Sequence, residues 1–201
     1  MRIIDGIKTK GKGVLLKGCS RQELPQFFLD MGYKVGAEIG VDKGVYSEAF
    51  GKVGLKLYAI DPWRVYSDYN HPKGQKRLDF LYEHTLRTVA PYNIHVIRKD
   101  SMEALEDFED ESLDFVYIDA NHAFRYIADD IFEWAKKVRE GGVVSGHDYA
   151  QGLNLHWQKI HVRYVVNAYV DCFKIQNWYL TDLVPGQSGD QKTRSWFWVK
   201  E

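Results

Sequence analysis

Short apolar runs alternate along this chain with segments of helical periodicity, and several of the runs end in a glycine or an acid. Val35–Ile39, Leu55–Ile60, Ile94–Arg98 and Leu113–Ile118 read as strands, and Val143–Ser145 starts a fifth. Between them fall a short helix around Tyr46–Phe50, a helix marked by Leu78, Leu81, Leu86 and Val89, and a short one over Ser101–Phe108. Phe124, Ile127, Ile131, Trp134 and Val138 share one helical face, ended by Gly141–Gly142. Apolar strands separated by amphipathic helices predict an α/β fold, a parallel sheet with helices on both faces.

The two ends depart from this rhythm. Residues 1–19 are rich in glycine and lysine with little periodicity, and read as an arm; Lys8, Lys10, Lys12 and Lys17 fit a solvated tail. Ser20 then caps a helix with Leu24, Phe27, Phe28 and Met31 on one face, Glu23 completes a capping box, and Gly32 ends it. After a helix near Gln158–Ala168, the runs Cys172–Tyr179 and Ser195–Val199 read as strands. The Thr181–Arg194 segment joining them has no helical pattern, so they should pair antiparallel. With no repeat or linker, the expectation is one domain over 1–201, an arm at 1–19 and a catalytic core at 20–201.

Composition narrows the class of function. With 201 residues, 45% hydrophobic and 27% charged, the chain can bury a core. A net charge of -1 gives no general attraction to nucleic acid or acidic membranes. No apolar run is long enough for a secretory or membrane segment, and Cys19 and Cys172 form no metal or disulfide pattern. Cytoplasm is the default location, and a homo-oligomer remains open.

Five segments carry chemistry. Glu38-Ile39-Gly40-Val41-Asp42-Lys43-Gly44 runs a strand into two glycines, which lets backbone approach a ligand. Its Gly-x-x-x-Gly spacing is not that of dinucleotide binders, which weighs against an NAD-dependent oxidoreductase. Asp61 ends the next strand, where an acid can accept ribose hydroxyls. Asp100-Ser101 follows the third strand and either reaches an adenine edge or caps a helix. Asp119-Ala120-Asn121-His122 and His147-Asp148 follow the fourth and fifth strands. If those strands are neighbours, Asp119, His147 and Asp148 converge in a group suited to a divalent cation or to acid/base work.

Taken in order over residues 33–200, these segments resemble the class I S-adenosylmethionine-dependent methyltransferases. Within them the pattern is most similar to the methyltransferase domain 24 family, related to catechol-O-methyltransferase-like enzymes. The resemblance implies a Rossmann-like, seven-stranded sheet in the order 3-2-1-4-5-7-6 with the seventh strand antiparallel. It implies that Glu38, Gly40 and Gly44 lie at the methionine end of S-adenosylmethionine, Asp61 at the ribose, and Asp100 with Ser101 at the adenine, with Asp119 nearby. In metal-dependent relatives the positions of Asp119, His147 and Asp148 hold magnesium, and the imidazole here tilts the set towards manganese. The metal-free alternative makes His147 or His122 the general base, with Asp119 and Asp148 positioning the acceptor or an imidazole. The acceptor would be a small molecule or sugar hydroxyl approaching over loops that carry Trp63, Tyr66, Tyr69, His71, Tyr149, His156 and Trp157. A binding module of the same fold without turnover is the non-enzymatic alternative.

Overall fold

The computed structural model describes residues 2–66, 74–153, 159–183 and 193–201. In chain order the elements are α1 (Ile3–Gly6), β1 (Val14–Leu16), a 3-10 turn at Arg21–Glu23, α2 (Leu24–Asp30), β2 (Val35–Ile39) and α3 (Val45–Lys52). There follow β3 (Lys56–Ile60), α4 (Gly74–Val89), β4 (Ile94–Ile97), α5 (Ser101–Ala104), β5 (Leu113–Ile118) and α6 (Phe124–Lys137). The last are β6 (Val138–Gly146), β7 (Gly152–Leu153), β8 (Lys159–Ile160), α7 (Val162–Cys172), β9 (Trp178–Thr181) and β10 (Trp196–Val199).

Among the described residues the main sheet has eight strands in the order β1-β9-β10-β6-β5-β2-β3-β4. Strands β4, β3, β2, β5 and β6 are parallel neighbours, and β10 runs antiparallel to both β6 and β9. The expected order and antiparallel last strand are therefore present. The eighth strand is the addition. Residues 2–19 are not a tail: β1 pairs parallel with β9, and Ile3, Leu16 and Cys19 are buried. Lys8 pairs with Asp5, and Lys12 with Asp171.

Side chains of the central strands alternate between two cores, one on each face. On β5, Phe115 and Tyr117 pack with Phe28, Phe50 and Leu81, while Val116 and Ile118 pack with Ile127, Ile131 and Trp134. This period of two against two helical layers fixes the register, since a one-residue slip would exchange the faces. It also brings the C-terminal ends of β2, β3, β5 and β6 to one edge.

Several boundaries differ from the sequence reading. The glycine pair does not end α6. The helix stops at Lys137, and β6 starts at once with Val138, bulged where the register jumps between Leu113 and Phe115. Gly142 is needed there because a Cβ would stand 2.5 Å from the Asp114 carbonyl oxygen. Phe124 is 59% exposed although its spacing puts it on the apolar face of α6, and Thr85 rather than Leu86 is buried on α4. Cys172 belongs to α7, so the strand expected over Cys172–Tyr179 starts only at Trp178. No described helix is long and apolar enough to cross a membrane.

Candidate active site

At the C-terminal edge of the sheet lies a cleft with about 150 Å³ of interior space, lined by Gly40, Asp61, Arg64, Tyr66, Ser101 and Asp119, among others. The glycine turn forms its floor. Gly40 has φ +87°, and its N–H donates to the Ile60 carbonyl at 2.9 Å. A Cβ on Gly40 would lie 2.3 Å from the Asp119 carbonyl oxygen, so the close approach is to the protein's own backbone. Gly44, at φ +77°, opens α3 and faces Thr85 of α4, so it shapes the turn from behind the cleft.

Asp61 is the brace of this turn. Its Oδ2 accepts the Val41 and Asp42 N–H groups at 2.9 and 3.1 Å, and its Oδ1 accepts that of Trp63 at 2.8 Å. Burial pushes its carboxyl above the usual range, opposed by those three donors. Each carboxylate oxygen has two lone pairs, so Asp61 can hold the turn and still accept from a ligand in the cleft. Asp42 and Trp63 both have positive φ, at 54° and 42°. Backbone strain in residues other than glycine gathers at functional edges.

The remaining cofactor candidates divide. Glu38 is buried behind the turn, where Ser47 Oγ donates to it, and burial pushes its carboxyl up to about 8. Asp100 stands at the N-cap position of α5 without a side-chain capping bond and pairs with Arg64, a cleft residue the sequence reading did not single out. Ser101 lines the cleft, starts α5, accepts from Trp134 Nε1 at 3.1 Å and donates to Asp130. Asp130 is buried, which pushes its carboxyl up to about 7. That value lies above the unfolded one of about 3.9, so the stability it contributes is present at acid pH and is lost as pH rises through about 7. Between about pH 4 and pH 8, wild-type unfolding free energy should fall relative to Asp130→Asn by roughly 2–4 kcal/mol. Parallel denaturation curves across that range would contradict this.

Asp119 links the cleft to a second polar cluster. The Asp119 N–H donates to the Ile39 carbonyl at 2.7 Å, and the His147 N–H to the Ile118 carbonyl at 2.9 Å. The first bond ties the end of β5 to β2 and the second ties β6 to β5, so β5 and β6 are the neighbours the sequence reading supposed. His122 Nε2 stands 3.0 Å from Asp148 Oδ2 and 3.6 Å from Asp119 Oδ1. Ligand atoms of Asp119, His122 and Asp148 all lie within 4.8 Å of one another. Asp148 has φ 51°, another strained position at this edge.

His147 converges with Asp119 and Asp148 as expected, its Nδ1 standing 3.7 Å from Asp119 Oδ2. Fully buried, it turns Nε2 towards Arg21 Nη1 at 3.2 Å and Nδ1 towards Asp148 Oδ1 at 3.4 Å. A guanidinium can only donate, so Nε2 is the acceptor of the contact with Arg21. The group with metal-compatible spacing is Asp119, His122 and Asp148, with His147 beside both of its carboxylates. Burial alone would raise the Asp119 carboxyl; His147, His122 and Arg21 outweigh it and hold Asp119 well below the usual range. Asp148 is likewise lowered against its burial, with His147 the main cause.

Arg21 was not foreseen. Its Nη2 donates to Asp119 Oδ2 at 3.1 Å, and its guanidinium lies over the Tyr46 ring at 4.3 Å. In sequence it is one more charged residue in a helix's first turn, and only the sheet brings it to Asp119.

The aromatic loops resolve in part. Trp63 is buried, with Nε1 donating to the Asp42 carbonyl, and Tyr149 packs on Trp178. Tyr149 is a packing residue, whereas Trp63 also lines the cleft. Tyr66 lines the cleft and accepts from Asn121 Nδ2 at 3.1 Å. Asn121 Oδ1 accepts the Ala123 N–H, so Asn121 also shapes the entry to α6. Tyr69, His71, His156 and Trp157 lie outside the described residues.

Comparison with known proteins agrees with this geometry. A family model described as a methyltransferase domain matches residues 37–149, more than half of the chain. An O-methyltransferase from Bacillus cereus, solved with SAH, superposes with TM-score 0.59 at 18% identity, over 89% of this chain and 80% of that one. The N-methyltransferase NodS from Bradyrhizobium japonicum gives 0.57 at 15% identity, over 89% and 95% of the two chains. The Sinorhizobium fredii protein y4gI, itself uncharacterized, is 27% identical over 106 residues. That stretch is 50% of this chain but 11% of the relative, so the chain spans a small part of that protein's length. The chain belongs to the methyltransferase-domain family and has the fold of the class I S-adenosylmethionine-dependent methyltransferases.

Proposed function

We propose that this protein transfers a methyl group from S-adenosylmethionine to a hydroxyl of a small molecule or sugar. The observation that carries the reading is the double position of Asp119, which lines the cleft and also belongs to the Asp119–His122–Asp148 cluster. Donor and acceptor would meet at that residue. In this reading Gly40 and the turn behind it, with Glu38 and Gly44, accommodate the methionine end. Asp61 accepts from the ribose, and Asp100 and Ser101 border the adenine.

When bound, S-adenosylmethionine supplies a methyl group on a sulfonium, which needs no acid to activate it. The residues must therefore align an acceptor oxygen with the S–CH₃ axis and receive its proton. The oxygen–carbon bond forms as the carbon–sulfur bond breaks, and the proton passes to His122, oriented by Asp148 and Asp119. His147, whose Nε2 already accepts from Arg21, is less suited to that task.

The cluster's chemistry also fits a divalent cation, since two carboxylates and an imidazole suit manganese or magnesium. Asp119, His122 and Asp148 would hold it, and its charge would lower the pKa of the acceptor hydroxyl. Incubation with methyl-labelled S-adenosylmethionine and a panel of hydroxylated compounds tests the reading. Label should appear on an oxygen of one acceptor class. Activity that persists in excess chelator assigns proton removal to His122, and activity restored only by added cation assigns that role to the metal. Cofactor binding without transfer to any acceptor class would favour a non-catalytic module.

A further inference from the structure

We propose that Arg21 is a built-in competitor of the divalent cation, holding the Asp119–His122–Asp148 group in a weakly binding state. The inference rests on the reading that this group accepts a cation. Arg21 Nη2 donates to Asp119 Oδ2 at 3.1 Å, so one of the two oxygens available to a metal already carries a charge-assisted bond. The second Asp119 oxygen faces His122 at 3.6 Å. The Arg21 side chain is 13% exposed, so water screens its charge poorly, and a fixed positive charge beside the site opposes an incoming cation.

Other contacts hold the guanidinium there. Nη1 donates to His147 Nε2 at 3.2 Å, the Tyr46 ring lies 4.3 Å beneath, and the Tyr46 hydroxyl donates to the Arg21 carbonyl at 2.7 Å. The capping box, in which the Ser20 N–H donates to Glu23 Oε2 at 2.6 Å, fixes the turn that carries Arg21. Metal loading would therefore require Asp119 to exchange a guanidinium for a cation. Cation binding and the placement of the N-terminal segment are then linked.

Binding of Mn²⁺ alone, with neither cofactor nor acceptor, tests this by calorimetry and by the electron paramagnetic resonance signal of the free ion. Arg21→Gln should bind Mn²⁺ at least about tenfold more tightly than wild type. Arg21→Lys keeps the charge but is too short to hold both partners, and should fall between them. If Arg21→Gln does not fold, judged by its melting curve, the comparison of Arg21→Lys with wild type decides. Affinity unchanged in the folded variants, or no binding by any of the proteins, overturns the proposal. Binding of S-adenosylmethionine to the same preparations reports separately on the methyl-transfer reading.

Discussion

Asp119→Asn is expected to lower methyl transfer by at least about 100-fold and to destabilise the fold as well. Removing the carboxylate charge strips Arg21 of its counter-ion in a place that water reaches poorly. Breaking one half of such a pair costs about 3 kcal/mol or more, although the amide oxygen can still accept one bond and reduces the loss. The same change takes away the group that orients His122 and one donor of the candidate cation site. Turnover at saturating S-adenosylmethionine and denaturant unfolding measure the two effects separately. Asp148→Asn should show the catalytic loss with a smaller stability cost, because no guanidinium is paired with it among the described residues. Equal activity of Asp119→Asn and wild type would remove the cluster from the chemistry.

Gly40→Ala should produce the largest stability loss of any single methyl addition in the cleft. Its Cβ would meet the Asp119 carbonyl oxygen at 2.3 Å, the Asp119 carbonyl carbon at 2.6 Å and the Ala120 Cα at 2.7 Å, all of them backbone. No side chain can rotate out of the way, so β5 must separate from β2 where Asp119 bonds to Ile39. To this is added the strain of φ +87° in a residue with a side chain. Together about 3–5 kcal/mol is expected. Gly54 supplies the control, because its φ is +88° but nothing lies within 4 Å of its Cβ position. Gly54→Ala should cost only about 1–2 kcal/mol, from strain alone. Chemical denaturation of both variants checks the difference. Similar losses at the two positions would mean that the close approach is not what Gly40 is for.

What was readable in the sequence was whatever depends on local pattern. Leu113–Ile118 is apolar apart from Asp114 because a central parallel strand is covered on both faces, and its limits were plain. The antiparallel terminal pair was readable because no helix could be placed in the segment joining it. β1 escaped because three residues between glycines show no period, and it becomes a strand only by pairing with β9, far along the chain. Phe124 escaped for the opposite reason: helical spacing assigns it a face, but it opens α6 and is left 59% exposed among the described residues.

In the candidate site, acids and glycines at strand ends were legible, since a parallel sheet gathers such ends at one edge. The partners that decide their chemistry were not. Asp61 looked like a ligand acceptor, and in the fold it also braces three backbone N–H groups. His147 meets Asp119 and Asp148 as the strand order implied, but its contact with Arg21 and the closer approach of His122 to Asp148 were not legible. Side-chain direction at a strand end is set by the local backbone and neighbours, and spacing carries no record of it.

Calorimetric titration of the wild-type protein with S-adenosylmethionine tests the central claim most directly. One equivalent should bind in the micromolar range, about −8 kcal/mol, with S-adenosylhomocysteine competing and NAD giving no heat. Asp61→Asn should weaken that binding by at least about tenfold through the lost charge-assisted bonds. A folded wild-type protein that ignores S-adenosylmethionine at about 1 mM, or that takes up NAD in its place, would contradict the account.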